Sequence, residues 1–198
     1  LQALESLAWE SSLLVRVAMV LGELASIDSG GDRQNSPAHS LATIFLPWLP
    51  QTLASLTTRK TAVEALTDSF PDVGWRLLLA LLPNGLQISL GSHKPKWRCT
   101  IPENHEDGVT IDEYWKQVDI YSAIAVELSK KDPARLSSLT ERIDVLPPDT
   151  RELLLEHLES KQGTDFEENV RVTLWSVLGQ TVTRHRRFPD AEWALPPT

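Results

Sequence analysis

The chain has 198 residues, 27 of them acidic against 19 Lys and Arg, which gives a formal net charge of -8 and a pI near 5.1. That balance excludes a general nucleic-acid coat, because phosphate binding needs cationic surface to displace counterions. One cysteine, Cys99, excludes an intramolecular disulfide, and no apolar run reaches the ~20 residues that span a bilayer, so a reducing, cytoplasmic setting is expected. The chain opens on Leu1-Gln2-Ala3 directly into an amphipathic pattern, which reads as a piece of a longer polypeptide.

In chain order, Leu4, Leu7 and Ala8 begin a short helix ending near Trp9. Ser11 or Ser12 is placed to cap a second through Leu13, Leu14, Val17, Ala18, Leu21 and Leu24 to Ile27. DSGGDRQNSPAHS gathers Gly30, Gly31, Asn35 and Pro37 and is a connector. It is no phosphate loop, since neither nucleotide-binding glycine fingerprint occurs in the sequence. A short helix over Ser40 to Leu46 leads to a corner where Pro47 and Pro50 bracket Trp48. The stretch from Ile44 to Pro83 holds the densest apolar surface and is the expected centre of the fold. Within it Leu53, Leu56, the stem of Lys60, Val63 and Leu66 repeat at helical spacing, and Val73 to Leu82 is apolar nearly all round, hence buried.

After Pro83 the sequence is long, rich in turn formers and without helical period; Ile88 to Leu90 is too short to argue a sheet. Helices resume at Thr110, whose spacing to Glu113 is that of a capping box, with a stripe of Trp115, Val118, Tyr121, Ser122, Ile124, Ala125 and Leu128. Asp132-Pro133 starts a helix bearing Leu136, Leu139 and Ile143. Pro147-Pro148 ends it, and Asp149 opens the next, with Leu153, Leu154 and Leu158, closed by Gly163. The last, roughly 166–185, carries Val170, Leu174, Trp175, Leu178 and Val182 on one side. The expected fold is all-α, helical hairpins stacked as an irregular α-solenoid or orthogonal bundle with one long irregular loop. Residues 1–83 and 110–198 form the hairpins and 84–109 the loop, all in one continuous helical unit. Pro beside Asp recurs at three helix junctions, SFPDVGW, KKDPARL and RRFPDAEW, a faint internal echo.

Candidate chemistry is sparse. His93, Cys99 and His105 match no established zinc spacing, and no third group orients Cys99 and a histidine for nucleophilic attack, so neither a metal nor a catalytic residue is expected. Glu103, Glu106, Asp107, Asp112 and Glu113 lack the glycine-pinned spacing of a calcium loop. Two basic clusters stand out on the acidic chain. Lys94, Lys96 and Arg98 surround Trp97, a set able to grip phosphate, a base or an acidic peptide; Arg184, Arg186 and Arg187 close the last helix, where cations suit the helix dipole. Trp48, Trp75 and Trp97 are the aromatic contact or relay candidates among seven tryptophans.

The phrases LESLAW, RVAMVLGELASID, SLATIFLPWLPQTLAS, PDVGWRLLLALLP, HKPKWR, EYWKQVDIY and RHRRFPDAEWALP resemble a helical region of large bacterial multidomain proteins related to the STAND-type NTPases. Ser29 departs from that pattern, standing where proline is expected before the two glycines. The resemblance implies a sensor or scaffold segment following a nucleotide-driven switch, in proteins several of which serve antiphage defence. It carries over no catalytic residue and no cofactor. The expected function is non-catalytic: protein–protein interaction or conformational relay, with a protein or other domains of the parent chain as partner and no membrane. The alternative is nucleic-acid or phosphorylated-ligand binding through the clusters 94–98 and 184–187.

Overall fold

The computed structural model describes residues 1–28, 35–84, 89, 91–95, 101–102, 108–161 and 166–188. Among them all regular structure is helical. The helices are α1 (Gln2–Ala8), α2 (Leu14–Ile27), α3 (Pro37–Ile44), α4 (Leu56–Ser69), α5 (Pro71–Leu81), α6 (Ile111–Ser129), α7 (Pro133–Thr140), α8 (Pro148–Glu159) and α9 (Glu168–Arg187). The chain divides into two units, 1–121 and 122–198, with the boundary inside α6. Gly30, Gly31, Ile88, Leu90 and Gly163, on which sequence expectations rested, lie outside the described residues.

Proline and short polar side chains start these helices. Pro71, Pro133 and Pro148 occupy first-turn positions, where the missing N–H is no loss. The Asp132 carboxylate accepts from the Ala134 and Arg135 N–H groups at 2.9 and 3.4 Å. The capping box at α6 forms as expected: the Thr110 N–H donates to Glu113 Oε2 at 3.0 Å and the Glu113 N–H to Thr110 Oγ1 at 3.2 Å. Three boundaries differ from expectation. α3 begins at Pro37, not Ser40, because Ser36 caps it by accepting from the His39 N–H at 3.2 Å. Residues 11–13 make a 3-10 turn before α2, and the Ser12 hydroxyl goes to Glu10 instead of to a helix N–H. α7 stops at Thr140, a second 3-10 turn (Ile143–Val145) carrying Ile143.

In the first unit the hub is α2, not the Ile44–Pro83 stretch: it packs against α1, α3, α4 and α5, making a bundle. Its inward face is built of Leu14, Val17, Ala18, Leu21, Gly22 and Ala25, and the small residues let α4 come close. A Cβ on Gly22 would stand 2.3 Å from Leu66 Cδ1. α5 buries Val73, Trp75, Leu77, Leu78 and Leu81 but leaves Arg76 and Ala80 to solvent, so it is not enclosed all round. Each leucine so buried contributes about 2 kcal/mol of transfer free energy.

The buried face of α4 is not the one expected: Lys60 is exposed and Arg59 is buried beside Ala62, Val63 and Leu66. Gln117 of α6 partners this cation at one nitrogen, while the buried Arg59 Nε has no hydrogen-bond partner among the described residues. Arg59 Nη1–H donates to Gln117 Oε1 at 2.5 Å, while Gln117 Nε2–H donates to the Pro47 carbonyl at 2.9 Å. Burial pushes the Arg59 guanidinium below its usual range, partly offset by Tyr121 and Glu113, and burial pushes the enclosed Tyr121 phenol up.

The second unit packs α7 against α9 around Leu136, Leu139, Ile143, Leu154, Leu174 and Val177. Arg184 Nη1 pairs with Asp144 Oδ2 at 2.9 Å, and His185 is buried beside them. Apolar residues expected to be inside are not all there: Trp115, Leu153, Trp175 and Val182 are exposed.

Candidate functional site

α9 exposes three large apolar side chains on one side. A 20-residue helix with Leu174, Val177 and His185 turned inward presents the opposite side to solvent. That side carries Val172 at 61%, Trp175 at 79% and Val182 at 45% exposure. An indole left this open forfeits the largest apolar gain available to any side chain, whereas scattered exposed aliphatics are ordinary. Beside it runs an open groove of about 560 Å³ lined by Trp175, Ser176, Gly179, Thr183, Arg187 and Phe188, among others. Gly179 shapes the groove, since a Cβ there would meet nothing within 4 Å among the described residues. Arg186 and Arg187 are exposed at the helix end, where the dipole favours cations, and Arg187 lies 5.7 Å from the Phe188 ring centroid.

The expected site residues are dispersed among different tasks. Trp48 is partly exposed at its proline-bracketed corner. Trp75 is only 9% exposed and packs inside the first unit, so it offers no docking surface. Lys96, Trp97 and Arg98 lie outside the described residues, as do Cys99 and His105. Lys94 is exposed, with Nζ 5.2 Å from the Trp9 ring centroid, a cation–π geometry. Arg184 is engaged by Asp144, leaving Arg186 and Arg187 as the outward cations of the second cluster. The sequence spacing sets Trp175 with Leu174 and Leu178 on one apolar side. Neighbours in a helix diverge by ~100°, and α9 buries only a narrow side, so Leu174 faces the core and Trp175 turns outward.

Residues 91–95 of the long loop are strapped to the rest of the first unit by polar contacts. His93 Nδ1 lies 2.6 Å from Glu5 Oε2, the His93 N–H donates to the same oxygen at 3.3 Å, and the Ser6 hydroxyl donates to the His93 carbonyl at 3.0 Å. The Ser92 N–H donates to Gln51 Oε1 at 2.9 Å, and Trp9 Nε1–H to Ser92 Oγ at 3.3 Å. Gly91, at φ +77°, takes the left-handed turn that brings the strand of loop onto Gln51. Burial alone would raise the Glu5 pKa, but hydrogen bonds from Ser40 and His93 outweigh it and hold the carboxyl below its usual range.

A depressed carboxyl stabilises the fold above the ordinary glutamate pKa, and that contribution disappears as pH falls through the lowered value. Glu5→Gln is therefore expected to cost about 1 kcal/mol at neutral pH and little once Glu5 is protonated. Urea midpoints of both proteins across the acid limb test this; a pH-independent difference would contradict it. Hydrogen exchange at residues 92–94 should rise in the variant.

Among the described residues no cluster of three or more His, Cys, Asp or Glu is arranged to hold a metal, and no helix is long and apolar enough to cross a membrane. No family model matches the sequence, and comparison with curated proteins and with solved structures returns no match.

Proposed function

We propose that this chain is a non-catalytic helical sensor or scaffold segment of a larger bacterial protein, acting by protein–protein interaction or conformational relay, with the outward side of α9 as its docking element. The observation that carries this reading is Trp175, held open to solvent between Val172 and Val182 on a helix whose other side is anchored in a core. The STAND-type resemblance supports the same class, a cytoplasmic sensor in a defence-associated parent. The strap at 91–95 suits a relay, since a few polar contacts can be exchanged for others without unfolding helices.

Phosphate or nucleic-acid binding is the second reading, favoured by the outward Arg186 and Arg187. It has less behind it, because Arg184 is engaged by Asp144 and the whole chain carries -8.

One experiment separates the two. The tagged full-length protein is cross-linked in its native cells, with wild-type sequence and with Trp175→Ala, and the retained material is washed at rising salt. The interaction reading expects a protein cross-linked to α9, lost in Trp175→Ala and retained from low to moderate salt. Steep loss with salt together with recovered nucleic acid would establish the phosphate reading instead. Retention that ignores Trp175→Ala would overturn the assignment of α9 as the docking element.

A further inference from the structure

The outward positions of α9 recur at spacings of four and three: Glu168, Val172, Trp175, Gly179, Val182 and Arg186, every one exposed. That is the a/d seam of a coiled coil, lying opposite the side that buries Leu174, Val177 and His185. Its composition is complementary to itself in reverse. If a second copy of the helix is laid antiparallel and centred at position 177, Glu168 faces Arg186, Val172 faces Val182, and Trp175 faces Gly179. Each layer pairs members that fit: acid with base, valine with valine, the largest side chain with none. These are also the a–d′ layers that an antiparallel left-handed helix pair requires.

Two features find no reason among the described residues and gain one from this pairing. Gly179 sits mid-helix, where glycine costs about 1 kcal/mol against alanine. Gly22 has a crowding neighbour that explains it, whereas a Cβ at Gly179 would touch nothing among the described residues. The groove beside Gly179 is the space an indole from another copy would enter. Likewise Glu168 and Arg186, at opposite ends of the seam, have no ionic partner among the described residues.

We infer that α9 is a homotypic docking surface: two copies of this chain associate through antiparallel α9 helices, with each Trp175 seated over the other copy's Gly179 and two symmetry-related Glu168–Arg186 pairs closing the ends. The occupant is a second copy, and the arrangement is isologous, so it closes as a dimer. The seam is about 27 Å long, small against the ~1,600 Å² of a standard interface, so affinity in the micromolar range is expected. The inference rests on the interaction reading and narrows its partner.

Sedimentation velocity over a dilution series tests it, with the mass expected to rise from 22.1 kDa toward twice that value. Trp175→Ala should leave a monomer. Glu168→Arg alone and Arg186→Glu alone should each weaken association about tenfold, because every dimer then holds two like-charged contacts. The double variant Glu168→Arg/Arg186→Glu should restore it, a rescue that neither generic apolar association nor a parallel pairing produces. All these positions are exposed, and unchanged helical circular dichroism verifies that the variants fold. A monomer at every concentration overturns the inference, as does a dimer indifferent to Trp175→Ala or one that the double exchange fails to restore. A monomer whose capture of a different protein still requires Trp175 overturns the homotypic pairing alone and leaves the interaction reading standing.

Discussion

Gln117→Leu should cost the first unit about 3 kcal/mol, and adding Arg59→Met should return most of that loss. Gln117 is fully enclosed and spans two groups on buried residues: it accepts from the Arg59 guanidinium and donates to the Pro47 carbonyl. Leucine fills the same volume and does neither. The larger part of the penalty is the buried guanidinium, which has no carboxylate ion pair among the described residues and is left without its amide oxygen. Removing the charge as well removes that desolvation cost, leaving about 1 kcal/mol for the Pro47 carbonyl that has lost its donor. The double-mutant cycle decides the matter in urea, where the coupling between the two sites should exceed about 1 kcal/mol. Simple additivity, or a single substitution tolerated within ~0.5 kcal/mol, would show that Arg59 finds another partner.

That network was invisible to pattern reading for a specific reason. Arg59 stands on the buried face with Ala62, Val63 and Leu66, whereas hydrophobic spacing favours the stem of Lys60, which is exposed. Gln117 precedes Val118 and falls outside the stripe that runs from Trp115 through Val118 and Tyr121 to Leu128. Signals encoded over a few residues were legible: proline in first turns, the Asp132 cap, the Thr110–Glu113 box, and the all-helical class itself. Signals requiring distant partners were not. Glu5 meets His93 across 88 positions, and α2 becomes the hub only when α3, α4 and α5 have closed around it. The outward side of α9 lies between these cases. Its heptad seam is present in the sequence, but it emerges only when Leu174 and Trp175 are set on different sides of the helix.

The same substitution at three glycines should have three different outcomes, because what surrounds each missing Cβ differs in kind. Gly74→Ala should lose about 3 kcal/mol: the added carbon would lie 2.5 Å from Thr67 Cγ2 and 2.8 Å from Thr67 Cα, and a backbone atom yields only if α4 and α5 part. Gly22→Ala should lose less, about 1 to 2 kcal/mol, since its obstacles are Leu66 Cδ1 at 2.3 Å and the Phe70 ring at 2.9 Å. The ring is only partly buried and can swing, while the enclosed Leu66 has little room. Part of the strain in both is offset by alanine's better helix propensity, worth about 1 kcal/mol. At Gly179 that propensity acts unopposed, so Gly179→Ala should raise stability by up to about 1 kcal/mol in a dilute sample. Urea midpoints for the three variants, read at a concentration where the chain is monomeric, establish the order. A destabilised Gly179→Ala would mean that something within the chain crowds that side of α9, and the case for a second copy over Gly179 would fall with it.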